Sequence, residues 1–156
     1  MKPSDFISLL HSPLWIASLL ESFLSGAQRI KKEGLEFELI FVAIPLLLDE
    51  NALEHLSKGN VNSSMSKIMA NSDLQSTYFK AKWNIEFYKE VTKKAVIILA
   101  SSKKITISNK IYHHAPLKPF SGNDEYLKKY YKAAYNLGAM IAKEDSLEII
   151  IKFGAF

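Results

Sequence analysis

Read from its beginning, the chain first shows helical spacing at Ile16, Leu20, Phe23, Ala27 and Ile30, where apolar residues recur every third or fourth position. Ser12-Pro13 supplies an N-cap and a proline at the first helical position. Lys31-Lys32 and Gly34 supply a basic last turn and a left-handed stop. Ser4 and Asp5 read as caps of a short preceding turn. Residues 36–48 are apolar without a clear period. Phe37, Leu39, Phe41 and the aliphatics after them fit either a buried strand or a buried helix, and Pro45 would kink or restart a helix there. Asp49 opens a short helix with Leu53 and Leu56 inward and Gly59 as its stop.

The polar residues 60–64 mark the best internal boundary. Ser63 or Ser64 caps a short helix carrying Met65, Ile68 and Met69, and Asn71-Ser72-Asp73 makes a further loop or cap. A longer helix ends near Leu99, with Trp83, Phe87, Val91, Ala95 and Ile98 as its expected inward stripe and Glu90–Lys94 as an outer i,i+4 pair. The β-branched alternation on either side of Ser108-Asn109 predicts a β-hairpin. Pro116, Pro119 and Gly122 make the next stretch an extended connector. Asn123-Asp124-Glu125 then caps a helix running to about Lys143, with Leu127, Tyr131, Ala134, Gly138 and Ile141 on one face. Gly138 costs such a helix about 1 kcal/mol relative to alanine, which points to a close helix–helix contact. Residues 146–153 form a last apolar element, helix or strand.

These elements predict a mainly α chain: a winged-helix-like helical domain with a small β-hairpin. The order of short helices, longer helix and hairpin places the winged-helix-like unit at about residues 62–114. Residues 1–60 read as an N-terminal helical lobe and 61–156 as the winged-helix-like unit with C-terminal helices, the two forming one compact domain overall. The 156 residues suit that size, and a chain of this length buries roughly 70% of its unfolded surface.

Charge changes the picture more than composition does. The net charge of +4 is uneven: residues 1–60 carry 5 basic and 8 acidic side chains, 61–120 carry 10 and 3, and 121–156 carry 5 and 5. The basic middle makes Lys93, Lys94, Lys103, Lys104 and Lys110 candidate contacts to double-stranded DNA. Arg29 is the only arginine, so any such contact is attraction to the backbone rather than base reading. Trp15, Leu19, Leu24 and Phe41 lie off the main inward stripe or in the apolar run, and are candidate partner-interface residues. The competing expectation is that the C-terminal helix and Phe156 cover them. Tyr131 fits the core face, while Tyr130 and Tyr135 lie to its side.

Candidate chemistry is sparse. Without cysteine there is no disulfide, thiolate zinc site or cysteine nucleophile. His113-His114 adjoin on a strand and face opposite ways, a poor metal pair. His11 and His55 have no ligand at metal spacing. Asp49-Glu50 and Asp124-Glu125 are explained as helix caps. There is no phosphate-binding loop, nucleophile elbow or HExxH. No catalytic residue, metal or cofactor is expected. The ten apolar residues 39–48 are too few for a membrane span of about 20, and the first residues lack a signal-peptide pattern, so the expected location is the cytoplasm.

Three stretches together resemble a known family: His11-Ser12-Pro13-Leu14 opening a helix, where an Asn-Pro is usual; Ile44-Pro45-Leu46-Leu47-Leu48, at the position of an "LPLVL" signature; and Tyr135-Asn136-Leu137-Gly138-Ala139-Met140-Ile141-Ala142-Lys143, at the position of "LGKWFAK", with Phe153-Gly154 after it. Their order and spacing are similar to the middle component of ABC-type three-component systems, among them the small subunit of the Lamassu anti-phage systems. His11 and Ala139-Met140 depart from that pattern. The resemblance implies a non-catalytic accessory or scaffolding subunit. It would dock on an SMC/Rad50-like coiled-coil ATPase and position or restrain an effector nuclease. The alternative reading is a stand-alone winged-helix DNA-binding regulator, supported by the basic middle segment.

Overall fold

The computed structural model describes residues 12–60, 62–66, 75–119 and 122–154. The expected caps at Ser4, Asp5 and Asn71-Ser72-Asp73, the short-helix residues Ile68 and Met69, His11 and Phe156 lie outside them.

Helix α1 (Pro13–Ile30) starts where expected, with Ser12 extended and Pro13 in the first turn. It is buried along almost its whole length, from Trp15 to Gln28. A helix that is apolar most of the way round needs neighbours on several sides. Here α5 (Glu125–Ala142), α4 (Gln75–Ser101) and α2 (Ile40–Leu47) all pack on it, α5 most extensively. This corrects the partner-surface expectation for Trp15, Leu19 and Leu24. Trp15 is 5% exposed, Leu19 and Leu24 are fully buried, and the Trp15 ring meets Tyr130 edge-on at 5.2 Å. Phe41 is half-buried, set at 85° to Phe37. Tyr130 and Tyr135, expected at the side of α5, are buried, and Tyr131 only partly so.

The crossing of α1 and α5 depends on two glycines. A Cβ at Gly138 would lie 1.8 Å from the Phe23 carbonyl oxygen, and one at Gly26 would lie 1.9 Å from that of Tyr135. The close approach that Gly138 predicted is therefore a reciprocal pair. The Asp124 carboxylate caps α5 by accepting the amides of Tyr126 and Leu127 at 3.0 and 3.1 Å.

The ambiguous run resolves into three pieces: strand β1 (Leu35–Glu36), a 3-10 turn (Phe37–Leu39), and α2 with Pro45 inside it. All of α2 except Phe41 is buried. Helix α3 (Glu50–Lys58) is capped by Asp49, which accepts the Ala52 amide at 3.0 Å and the Thr77 hydroxyl at 3.1 Å, and it stops at Gly59. Asn136 of α5 donates to the carbonyls of Leu56 (2.9 Å) and Gly59 (3.1 Å), which fastens the end of α3.

The hairpin forms as predicted, β2 (Ile105–Ile107) against β3 (Lys110–His113), with Ile105 opposite His113 and Ile107 opposite Ile111. The sequence reading missed β1, which pairs with β3 through Leu35 opposite Ile111 and Glu36 opposite Lys110. The sheet order is thus β1-β3-β2. A strand after the first helix, paired beyond the hairpin, completes a winged-helix-like arrangement in which α1 and β1 take part. Helix α6 (Ser146–Phe153), capped by Asp145 and closed by Gly154 at φ 64°, turns Ile149 and Phe153 inward. No described helix is long and apolar enough to cross a membrane.

Candidate protein-docking face

The polar residues of α1 act as a strap. Glu21, Ser25 and Gln28 share one face of the helix at i, i+4 and i+7. Gln28 exchanges two hydrogen bonds with the backbone of His113, at 2.6 and 3.1 Å. Ser25 Oγ accepts the Leu117 amide at 2.8 Å. Glu21, 8% exposed, holds Lys104 Nζ at 2.9 Å and the ring of His113, 3% exposed, at 3.1 Å. His113 Nδ1 accepts the Ala115 amide, so its ring proton sits on Nε2 and points at Glu21. The chemistry is structural: these bonds seat the hairpin and the connector on α1. His114 faces the other way and meets Thr106 at 2.8 Å. No group of three metal-ligating side chains occurs among the described residues.

The lysine candidates do not gather into one uncompensated patch. Lys93 pairs with Glu90 at 3.5 Å (the sequence had paired Glu90 with Lys94), Lys104 with Glu21, and Lys110 with Glu33 at 3.6 Å. Lys94 and Lys103 are exposed with no carboxylate in ion-pair range among the described residues. Lys103 takes a left-handed conformation, φ 58°, where Lys104 N–H closes back on the Leu99 carbonyl to end α4.

Between α3 and α5 an open depression of about 420 Å³ is lined by Glu54, Ser57, Glu125, Tyr126, Lys128, Lys129 and Lys132. Hydrogen bonds from Lys129 and Lys58 hold the Glu54 carboxyl down at about 2. Lys129 of α5 and Glu54 of α3 thus satisfy one another across the depression. Burial and the nearby Glu50 carboxylate push the Tyr130 hydroxyl up to about 12, which keeps it neutral.

The most distinctive surface is α4. Its inward stripe is Thr77, Ala81, Ile85, Thr92, Ala95, Val96 and Leu99, all buried. This corrects the expectation for Trp83 and Phe87. They stand outward with Phe79 at i, i+4 and i+8, and the three are 60%, 82% and 71% exposed in chain order. The neighbouring helices α1 and α2 cover that stripe, and the aromatics fall on the opposite face. Glu86 and Glu90 share that outer face, and Ile97 continues it. In a DNA-binding winged helix the outward long helix brings polar and basic side chains to the bases. Here it offers aromatic rings with charges of both signs around them, Glu86 and Glu90 beside the exposed Lys80, Lys82, Lys93 and Lys94.

That combination defines a winged-helix-like chain with an exposed aromatic line on its long helix. Residues 2–154 match the family model of the ABC-three component (ABC-3C) system Middle Component 3, and the chain belongs to that family. The resemblance read from the three stretches therefore lies with the right group. No curated protein and no solved structure matches the chain.

Proposed function

We propose that this middle component is a non-catalytic accessory subunit that docks a protein partner on the aromatic face of α4. One observation carries the reading: Phe79, Trp83 and Phe87 project together from the helix that would otherwise meet DNA. Full burial of one such side chain is worth roughly 1.5–3 kcal/mol, so exposure of three in a row is costly unless a partner covers them. Family membership supplies the kind of partner, another protein of a multi-component system. Following the resemblance, that partner is an SMC/Rad50-like coiled-coil ATPase. The assembly positions or restrains an effector nuclease in a cytoplasmic, Lamassu-like anti-phage complex. The DNA-regulator alternative draws on the exposed Lys80, Lys82, Lys93 and Lys94 of the same helix, and it does not account for the three exposed rings beside them.

Co-expression of the three components with a tag on this chain tests the proposal. Trp83→Glu and Phe87→Glu leave the fold intact by circular dichroism, because both side chains point away from the core. Loss of a central aromatic anchor typically costs 2 kcal/mol or more, about 30-fold in affinity, so the ATPase should be lost from the purified complex. Undiminished recovery of every partner with the double variant overturns the proposal.

A further inference from the structure

A second site lies away from the α4 face, in the depression between α3 and α5. Its volume of about 420 Å³ falls among the clefts that take small molecules, roughly 300–1,000 Å³. Its charges do not cancel. Glu54 on the α3 side is taken up twice, by Lys129 across the depression and by Lys58 of its own helix at 3.0 Å. Lys128 and Lys132 on the α5 side are both exposed, with no carboxylate in ion-pair range among the described residues. They stand four residues apart, about one turn and roughly 6 Å along the helix axis. Like charges at that spacing destabilise a helix unless an anion lies between them. The other carboxylate of the lining, Glu125, is exposed in the first turn of α5, one against two. The backbone end of α5 is already occupied, since the Asp124 carboxylate accepts the Tyr126 and Leu127 amides. The Tyr126 side chain lines the same depression, 62% exposed.

Two uncompensated ammonium groups one turn apart suit a group that carries two negative charges on neighbouring oxygens. A phosphate monoester is such a group at neutral pH. An exposed phenol ring beside them suits a flat ring stacked on its face. We propose that the depression binds a small phosphate monoester of the nucleoside monophosphate class. Lys128 and Lys132 hold the phosphate, and Tyr126 stacks on the base. Lys129 stays with Glu54 and ties α5 to α3, so the site is formed before the ligand arrives.

Titration of the purified full chain with adenosine monophosphate (AMP), inorganic phosphate and adenosine, followed by backbone amide chemical shifts, tests this. AMP should move the signals of residues 54–58 and 125–132 and bind more tightly than either of its parts. Lys128→Gln and Lys132→Gln should each weaken AMP and inorganic phosphate alike by roughly tenfold, the worth of a hydrogen bond to a charged group. Tyr126→Ala should weaken AMP by roughly fivefold or more, the worth of one base stacked on an aromatic ring, and leave inorganic phosphate unchanged. Tyr126→Phe keeps the ring and should bind AMP as the wild type does. Lys118→Gln, at an exposed lysine outside the depression, should change nothing. Circular dichroism checks that every variant is folded, as changes at exposed side chains should leave it. Signals that stay still at millimolar AMP overturn the proposal. So does a loss of binding as large in Lys118→Gln as in Lys128→Gln, or a Tyr126→Ala variant with wild-type affinity for AMP. A single-stranded oligonucleotide that binds the same residues more tightly than AMP overturns it in favour of a nucleic-acid contact.

Discussion

Gly138→Ala is the sharpest test of how the core is built. In an isolated helix the change adds about 1 kcal/mol of stability, because alanine is the better helix former. In this chain the new methyl carbon would lie 1.8 Å from the Phe23 carbonyl oxygen and 2.9 Å from the Ala27 amide nitrogen. Non-bonded heavy atoms rest at about 3.5 Å, so α1 and α5 must part by roughly 1.5 Å. Both obstacles are helix backbone, which cannot swing aside as a side-chain tip can. Overpacking of this kind costs about 1–3 kcal/mol and sometimes more, and the backbone clash puts it at the upper end even after the helix-propensity gain. A net loss of about 3 kcal/mol lowers the melting temperature by roughly 6–12 °C in a chain of this length. Urea denaturation and thermal melts followed by circular dichroism measure both. Gly26→Ala should cost a similar amount, since its Cβ would meet the Tyr135 carbonyl at 1.9 Å. The double variant should cost less than the sum, because one separation of the helices accommodates both methyls. A neutral or stabilising Gly138→Ala would refute the close crossing.

Three further outcomes are expected. Glu21→Ala leaves the buried His113 ring N–H without its acceptor and should cost about 1–3 kcal/mol in urea unfolding, whereas Glu21→Gln, whose amide oxygen still accepts that bond, should recover most of it; equal losses would remove the strap from the argument. The Glu54 carboxyl is held at about 2 against an ordinary 4.5, so its contribution is complete above pH 4.5 and disappears as pH falls towards 2. The stability gap between wild type and Glu54→Gln should be constant from pH 5 to 7 and narrow below pH 4.5; a gap that widens in acid would reverse the sign. Charge reversal at Lys103 should weaken salt-sensitive DNA association of the assembled complex without dissociating it. Lys103 is reversed alone, since reversing Lys104 would drive a second carboxylate against Glu21 and Lys94 lies on the aromatic face of α4; loss of assembly with DNA binding unchanged would show that the basic end faces protein.

What the sequence revealed follows from how local each signal is. Asp49, Gly59, Asp124 and the Ser108-Asn109 turn act on neighbours within a few residues, and each stands where its chemistry placed it. Gly138 was legible because a helix seldom keeps a glycine without cause. The failures are all long-range. Trp83 and Phe87 were assigned inward because large rings usually are, yet their period fits Phe79 just as well, and only the neighbouring helices decide which face is covered. Trp15, Leu19 and Leu24 looked surplus because a helix pair was expected where α1 has three helical neighbours. Strand β1 is two residues long and exists only because β3 is beside it. Glu21 left one faint trace, a polar stripe with Ser25 and Gln28 on an otherwise apolar helix, and its partners lie more than eighty residues away.

That last distance has a consequence in time. Helix α1 is made early and closes mainly against α5, whose first residue comes more than ninety positions after the last of α1. At translation rates of 5–20 residues per second, the apolar faces of α1 wait roughly 5–20 s for their cover. Throughout that interval the nascent chain presents Trp15, Leu19, Phe23 and Leu24 to whatever is nearby. The early segment is therefore a natural client for a chaperone, and a synonymous change that slows synthesis between α4 and α5 should lower soluble yield without altering one residue of the finished protein.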